Sequence, residues 1–91
     1  MLTFYKFYAP WCGPCQRMSP IVDALQGLEQ HKDVAFQSID IDAPENAALV
    51  ETFGVMGLPT MVVAKGDVLL AKQTGVLPLE ALDAFLEGAK Q

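Results

Sequence analysis

The stretch that decides the fold is FYAPWCGPC, which runs from Phe7 to Cys15. Residues 2–8 are bulky and rich in aromatic side chains and are followed by Pro10, so they predict a strand that stops at the proline. After the cysteines, apolar residues recur at spacings of three and four, which predicts a helix with one buried face that runs to about Glu29. The two cysteines therefore lie between the end of a strand and the start of a helix.

Cys12 and Cys15 occupy a position where free backbone N–H groups and the helix dipole stabilise negative charge. Only a thiolate attacks a disulfide, so Cys12, at the helix tip, is the predicted nucleophile, and Cys15 is predicted to resolve the mixed disulfide. Gly13 removes side-chain bulk where a partner approaches, and Pro14 fixes one dihedral in the first helical turn. This arrangement predicts dithiol–disulfide exchange.

A metal site is the other chemistry that a cysteine pair can serve. A closed zinc site needs about four ligands, whereas this chain has two cysteines and one histidine, His31. Because His31 stands among polar residues, we expect it to be a solvated loop side chain outside the mechanism. We therefore expect neither a metal nor a cofactor.

The middle of the chain predicts a second strand and a short helix. Residues 34–41 form the strand candidate, and Pro44 opens the helix. We expect the apolar side chains of this helix to face inward and Gly54 to end it. These inward-facing side chains are Ala48, Leu49 and Phe53.

The last third of the chain predicts a hairpin followed by a helix. Residues 60–64 and 68–72 are apolar runs on either side of Lys65-Gly66-Asp67, which is the spacing of an antiparallel hairpin. Pro78 begins the final helix, in which acidic residues are expected opposite an apolar stripe. The stripe consists of Leu79, Leu82, Phe85, Leu86 and Ala89, and the acidic side of Glu80, Asp83 and Glu87. The order of elements predicts a single α/β domain over residues 1–91, with the first two strands parallel.

Composition excludes several classes of partner. The net charge is −5 over 91 residues, which repels nucleic acid and anionic lipid. No apolar run approaches the roughly 20 residues that a membrane helix needs. The first residues do not show the basic region followed by a long apolar stretch that is typical of a secretion signal. We expect a soluble, cytoplasmic protein that binds neither nucleic acid nor membrane, in which a cysteine pair is more often catalytic than structural.

Four features resemble the thioredoxin family in their order and spacing: the FYAPWCGPC segment, Pro20 inside the helix, the Gly-Leu-Pro-Thr run at 57–60, and Gly75. The resemblance implies that Pro59 is a cis-proline facing the cysteines and that the Leu58 backbone pairs with an extended segment of the substrate. It also implies an apolar substrate-binding surface around Cys12, formed by Trp11, Gly13, Pro14, Met56, Leu58, Pro59, Gly75 and Val76.

The chain departs from the family in two ways. Thioredoxins usually have a strand and a helix before the strand that leads into the cysteines, so we expect a minimal β-α-β-α-β-β-α fold, with three helices flanking a four-stranded mixed sheet. Residues 34–40 would then form an exposed edge, protected partly by Asp40 and Asp42. In addition, Lys6 stands where thioredoxins have a buried acid. Lys6 is either a modulator of cysteine pKa or a lysine with only its stem buried.

The resemblance implies a reductant of protein disulfides. We expect its partners to be disulfide-containing proteins and a reductase that supplies electrons, flavin-dependent and NADPH-linked by family practice, with a ferredoxin-linked donor as the alternative. We expect a monomer. Glutaredoxins share a minimal core, although their usual pair is Cys-Pro-Tyr-Cys and no clear glutathione signature is present. Glutaredoxin-like or isomerase-like exchange and a non-catalytic partner-binding subunit remain the other functional hypotheses.

Overall fold

The structure is a computed structural model that describes all residues, 1–91. The strands and helices alternate in the predicted order, and short 3-10 turns at Glu29–His31 and Pro44–Asn46 precede β2 and α2. None of the helices combines the length and the apolar character needed to cross a membrane. The elements are β1 (Thr3–Tyr8), α1 (Gly13–Gln26), β2 (Ala35–Asp40), α2 (Ala47–Thr52), β3 (Thr60–Lys65), β4 (Val68–Thr74) and α3 (Leu79–Ala89).

The four strands form one mixed sheet in the order β2-β1-β3-β4. β1 and β2 are parallel and joined through α1, whereas β3 pairs antiparallel with both β1 and β4. The predicted α/β class, the four-stranded mixed sheet with three helices and the edge position of β2 are all confirmed. Because parallel strands point the same way, the ends of β1 and β2 lie at one edge of the sheet, where the cysteine segment begins.

Two clusters of buried side chains cover the two faces of the sheet, because successive residues of a strand point to opposite faces. On one face, Phe4 and Met61 pack against apolar residues of α1 and α3, including Leu25 and Leu82. On the other face, Phe7 packs with Val62 and with Phe53, which follows α2. The sheet is thus held between α1 and α3 on one side and the short α2 on the other.

Two details of the helices differ from the prediction. The first helix ends at Gln26, three residues earlier than expected, because the Gly27 N–H bonds back to carbonyls of the last turn and the chain then enters a 3-10 turn. It runs without a break through Pro20. In the short helix, Leu49 packs inward as expected, but the prediction for Ala48 was wrong, because this residue is exposed.

The prediction of a solvated His31 was also wrong. Its side chain is fully buried, at 0% exposure, and Nε2 lies 2.6 Å from Oδ1 of Asp83 on α3. Lys90 donates to Nδ1 at 2.9 Å, and Glu87 pairs with Lys90 at 3.0 Å. Asp83 and Glu87 therefore do not simply face solvent opposite the apolar stripe. They hold the end of α3 against the turn before β2.

Candidate active site

The two cysteines form a disulfide at the start of α1. β1 ends at Tyr8, and the next turn is fixed by a 3.1 Å hydrogen bond from the Cys12 N–H to the Ala9 carbonyl. Cys12 has extended backbone angles and caps the helix, because its Sγ accepts the Cys15 N–H at 3.2 Å. Both cysteines are buried, and Cys12 is slightly the more exposed of the two.

A surface groove of about 400 Å³ opens over Cys12. Trp11 and Met56 form large apolar parts of its rim and are 70% and 98% exposed, respectively. The Cys15 side chain does not line this groove, so only one of the two cysteines borders the space that a partner can enter. The lining residues are Trp11, Cys12, Gly13, Pro14, Ile41, Met56, Gly57 and Leu58.

The loop opposite the cysteines contains a cis peptide bond between Leu58 and Pro59, as the resemblance implied. The buried Thr60 hydroxyl donates to the Gly57 carbonyl at 2.6 Å and lies 3.0 Å from the Thr74 hydroxyl. A Cβ atom at Gly57 would lie 3.0 Å from Thr74, which is too close for any larger residue without movement. The loop is therefore anchored to the start of β3 and the end of β4.

A second segment joins the same region from the far end of β4. The Gly75 N–H donates to the Pro59 carbonyl at 2.8 Å, and Gly75 has a φ of 104°, which side chains rarely adopt. The Leu77 N–H donates to the Met18 thioether at 3.3 Å. This segment thus connects the proline loop to the helix that carries the cysteines.

Trp11 is held over the groove by a charged side chain. Its indole Nε1–H donates to Asp42 Oδ2 at 2.8 Å. Asp42 lies two residues beyond the end of β2 and is positioned by a 2.9 Å bond from its own N–H to Asp40 Oδ1. Asp42 therefore has a role beyond the predicted protection of the strand edge, because it orients the tryptophan.

Residues 2–88 match the family model described as Thioredoxin. This chain belongs to the thioredoxin family. It is 37% identical over 80 residues to thioredoxin of Bacillus subtilis, a match that covers 88% of this chain and 74% of the relative. Thioredoxin of Haemophilus influenzae is 36% identical over 88% of this chain and 72% of its own length.

Solved thioredoxin structures superpose closely on this fold. A mutant thioredoxin from Halobacterium salinarum gives a TM-score of 0.82 at 34% identity, over 99% of this chain and 75% of that chain. Mitochondrial thioredoxin 3 from Saccharomyces cerevisiae, in its oxidized form, gives 0.77 at 30% identity, over 94% of this chain and 77% of its own.

The family and the disulfide together establish the activity. This thioredoxin is a protein thiol–disulfide oxidoreductase, because the family carries out dithiol–disulfide exchange and the chain has the cysteine pair that this exchange needs. Its partners are proteins that contain disulfides and a reductase that returns electrons. The electrons pass through the cysteine sulfurs themselves.

The structure brings together most of the residues that the sequence selected for the substrate surface. Five of them line the groove together with Cys12, whereas Pro59 is buried beside the groove and Gly75 is bonded to the Pro59 carbonyl. Val76 is exposed next to Gly75 but does not line the groove. The five are Trp11, Gly13, Pro14, Met56 and Leu58.

Sequence reasoning missed Ile41 as a groove residue and Asp42 as the partner of Trp11. Both follow β2 directly, and the predicted parallel pairing of β1 and β2 sends them to the edge of the sheet where the cysteines lie. That topology was the available signal. The sequence held no such signal for Thr60, because the partners of its hydroxyl, the Gly57 carbonyl and the Thr74 hydroxyl, depend on how the proline loop folds.

Lys6 lies in the middle of β1, one of the two inner strands of the sheet. Its Nζ donates to Ser19 Oγ of α1 at 2.9 Å and stands 5.5 Å from the centre of the Tyr8 ring. The residue is 8% exposed. The hydrogen bond to Ser19 is partly buried, and both interpretations of Lys6 stay predictions.

Proposed function

We propose that this thioredoxin is a reductant of protein disulfides in which Cys12 attacks and Cys15 resolves. The Cys12 thiolate forms a bond to one sulfur of the substrate disulfide, and the other sulfur leaves as a thiolate and takes up a proton. Cys15 then attacks Cys12, which releases the second substrate thiol and leaves the Cys12–Cys15 disulfide. The observation that supports these roles is that Cys12 borders the groove and Cys15 does not.

The substrate is proposed to bind as an extended segment across the groove. The Leu58 backbone would pair with this segment, and Pro59 would hold that backbone in place opposite Cys12. Trp11, Gly13, Pro14 and Met56 would supply apolar contact on the groove side, while Gly75 and Val76 would extend the surface on the other side. Exposed apolar side chains around a reactive sulfur support this assignment, because such patches favour protein partners over small polar ones.

We also propose the setting in which the protein works. Residues 1–91 would act as one thioredoxin-like unit and as a monomer in the cytoplasm, where a reductant can be kept reduced. Electrons would come from a flavin-dependent reductase that uses NADPH. A test would supply the oxidised protein either with NADPH and a flavin-dependent reductase or with a ferredoxin-linked reductase, and would measure the appearance of thiols. Reduction only by the ferredoxin-linked reductase would change the proposed donor.

A pair of serine variants tests the two cysteine roles. The parent should catalyse reduction of insulin by dithiothreitol, and both Cys12→Ser and Cys15→Ser should lose this turnover. Only Cys15→Ser should accumulate a mixed disulfide with the substrate, because it retains the attacking sulfur and lacks the resolving one. Trapping by Cys12→Ser in place of Cys15→Ser would reverse the roles.

The redox potential of the pair tests the direction of electron flow. A reductant must have a potential at or below the cytosolic glutathione poise, about −220 to −260 mV by extraction. A value well above this range would favour isomerase-like or oxidase-like exchange instead. A Cys12→Ser protein that keeps its full biological effect would favour a partner-binding subunit.

A further inference from the structure

Lys6 is a buried cation without an anion. It occupies the middle of β1, between β2 and β3, and lies opposite the neutral residues Ser38 and Met61 on those strands. The chain has four ion pairs, and none of them includes Lys6. A buried charge is costly unless it is paired, because the interior solvates it poorly. The oxidised protein therefore contains an ammonium group whose counter-charge is missing.

Ser19 connects this ammonium to the helix turn of Cys15. Cys15 and Ser19 are four positions apart in α1, so they lie on the same side of the helix. The Ser19 hydroxyl donates its one hydrogen to the Cys15 carbonyl at 3.3 Å, and its oxygen accepts from Lys6 at 2.9 Å. Ser19 thus links the lysine ammonium to the backbone of Cys15.

The other charged and titratable groups around Lys6 are few. On β1, the Tyr8 ring stacks near the ammonium, and on β2, Asp40 lies opposite Tyr8 and accepts the Asp42 N–H through Oδ1. β3 contributes Met61, which carries no charge. On α1, Arg17 is exposed, and the cysteines follow Tyr8 within a few residues. The cysteine pair is the group in this region whose charge changes when the protein is reduced.

We propose that Lys6, held in place by Ser19, is the counter-charge for the thiolate of the reduced cysteine pair and so makes this pair less reducing than the same fold without the lysine. The disulfide takes up two electrons and one proton to give one thiol and one thiolate, and a donor dithiol is oxidised to its own disulfide. The ammonium favours the anionic product by Coulomb attraction. Ser19 is a positioning residue that acts through Lys6.

This role depends on the proposed function, because it takes Cys12 and Cys15 as the exchanging pair. The two can be separated by experiment. A parent protein that fails to catalyse insulin reduction contradicts the proposed function, whatever its redox potential. Full catalysis together with a potential that does not respond to Lys6 contradicts only the role of the lysine.

The test is the redox equilibrium between each protein and dithiothreitol at pH 7. In Lys6→Met, which keeps the length of the side chain and removes its charge, the equilibrium constant for reduction should fall about tenfold, or roughly 30 mV for two electrons. Ser19→Ala should lower it about threefold, the effect of one lost hydrogen bond. Ser19→Thr retains the hydroxyl and should keep the parent equilibrium constant. Lys65→Met, which removes a lysine charge at the distant end of β3, should also match the parent.

Ultraviolet titration of the thiolate gives a second readout that a merely structural role would not move. Its midpoint should rise in Lys6→Met and in Ser19→Ala, because both remove stabilisation of the anion. In the double variant, Ser19→Ala should add nothing to Lys6→Met, since the serine acts through the lysine. If Lys6→Met does not fold, Ser19→Ala alone decides. Equilibrium constants within twofold of the parent, or an independent effect of Ser19→Ala in the double variant, would overturn the proposal.

Discussion

Two buried basic side chains of this protein, His31 and Lys6, differ in the groups that surround them. His31 is enclosed at one end of the molecule by Asp83, Glu87 and Lys90. Because a lysine can only donate, Nδ1 of His31 must accept from Lys90, so Nε2 carries the ring hydrogen and donates it to Asp83. Lys6, in the middle of β1, has a serine hydroxyl and an aromatic ring beside its ammonium and no carboxylate.

We infer from this difference that His31 has a structural role, whereas the charge of Lys6 is available to interact with the reacting groups. A buried polar group with all its partners fixes the packing of the elements that supply them, and here it ties the end of α3 to the turn before β2. A buried cation without an anion adds no such stability, but it can interact with a charge that appears during the reaction. The contrast can be tested by removing one group at a time.

Loss of the Asp83 carboxylate should have the largest effect on stability. Asp83→Ala leaves the buried His31 N–H without its acceptor, which costs about 1–3 kcal/mol. Denaturant unfolding of the oxidised protein measures this loss, and Asp23→Ala, an exposed aspartate of α1 without side-chain partners, serves as the control. The redox potential should not change. A stability equal to that of the control would show that the His31 cluster is not structural.

Replacement of the lysine should have the opposite sign. Lys6→Met removes a buried, unpaired charge and puts an apolar side chain of similar length in its place. The free energy of unfolding of the oxidised protein should therefore stay the same or rise by up to about 1 kcal/mol. The same unfolding experiment measures it. A loss of more than about 1 kcal/mol would place Lys6 with His31 among the structural groups and remove the contrast.

An exposed charge beside the groove should affect activity more than stability. Asp42→Ala frees the Trp11 indole, and the loss of one hydrogen bond predicts about a two- to fivefold lower kcat/KM for insulin reduction. Asp42→Asn keeps an acceptor and should retain most of the activity. Unfolding free energies of both variants should stay within about 0.5 kcal/mol of the parent. Equal activity of Asp42→Ala and the parent would show that this bond does not orient the tryptophan for substrates.

The smallest effect is expected where both partners are in solvent. Lys32 and Glu29 pair at 2.9 Å with side chains that are 74% and 84% exposed. Such pairs contribute about 0–1 kcal/mol, so Lys32→Ala should change unfolding by less than about 0.5 kcal/mol. Unfolding at low and high salt measures this pair. A loss comparable to that of Asp83→Ala would contradict the view that burial, rather than pairing itself, decides the cost.

The sequence by itself determined the architecture and the reactive pair. Periodicity of two in the strands and of three to four in the helices requires no knowledge of distant contacts, so β1, α1, the hairpin and the apolar stripe of α3 were all predicted. The short spacing of Cys12 and Cys15 at a strand–helix junction fixed their chemistry, and the run at 57–60 matched the family closely enough to predict the cis bond at Pro59.

Only the tertiary structure decided where the isolated polar residues lie. His31 has no periodic pattern around it, and its burial depends on Asp83 and Lys90, which are more than 50 residues away in sequence. The same holds for Asp42 and Trp11, which are 31 residues apart, and for Lys6 and Ser19, which are 13 apart. A local pattern predicts which face of an element is apolar, but the partner of a single polar group depends on how the elements pack.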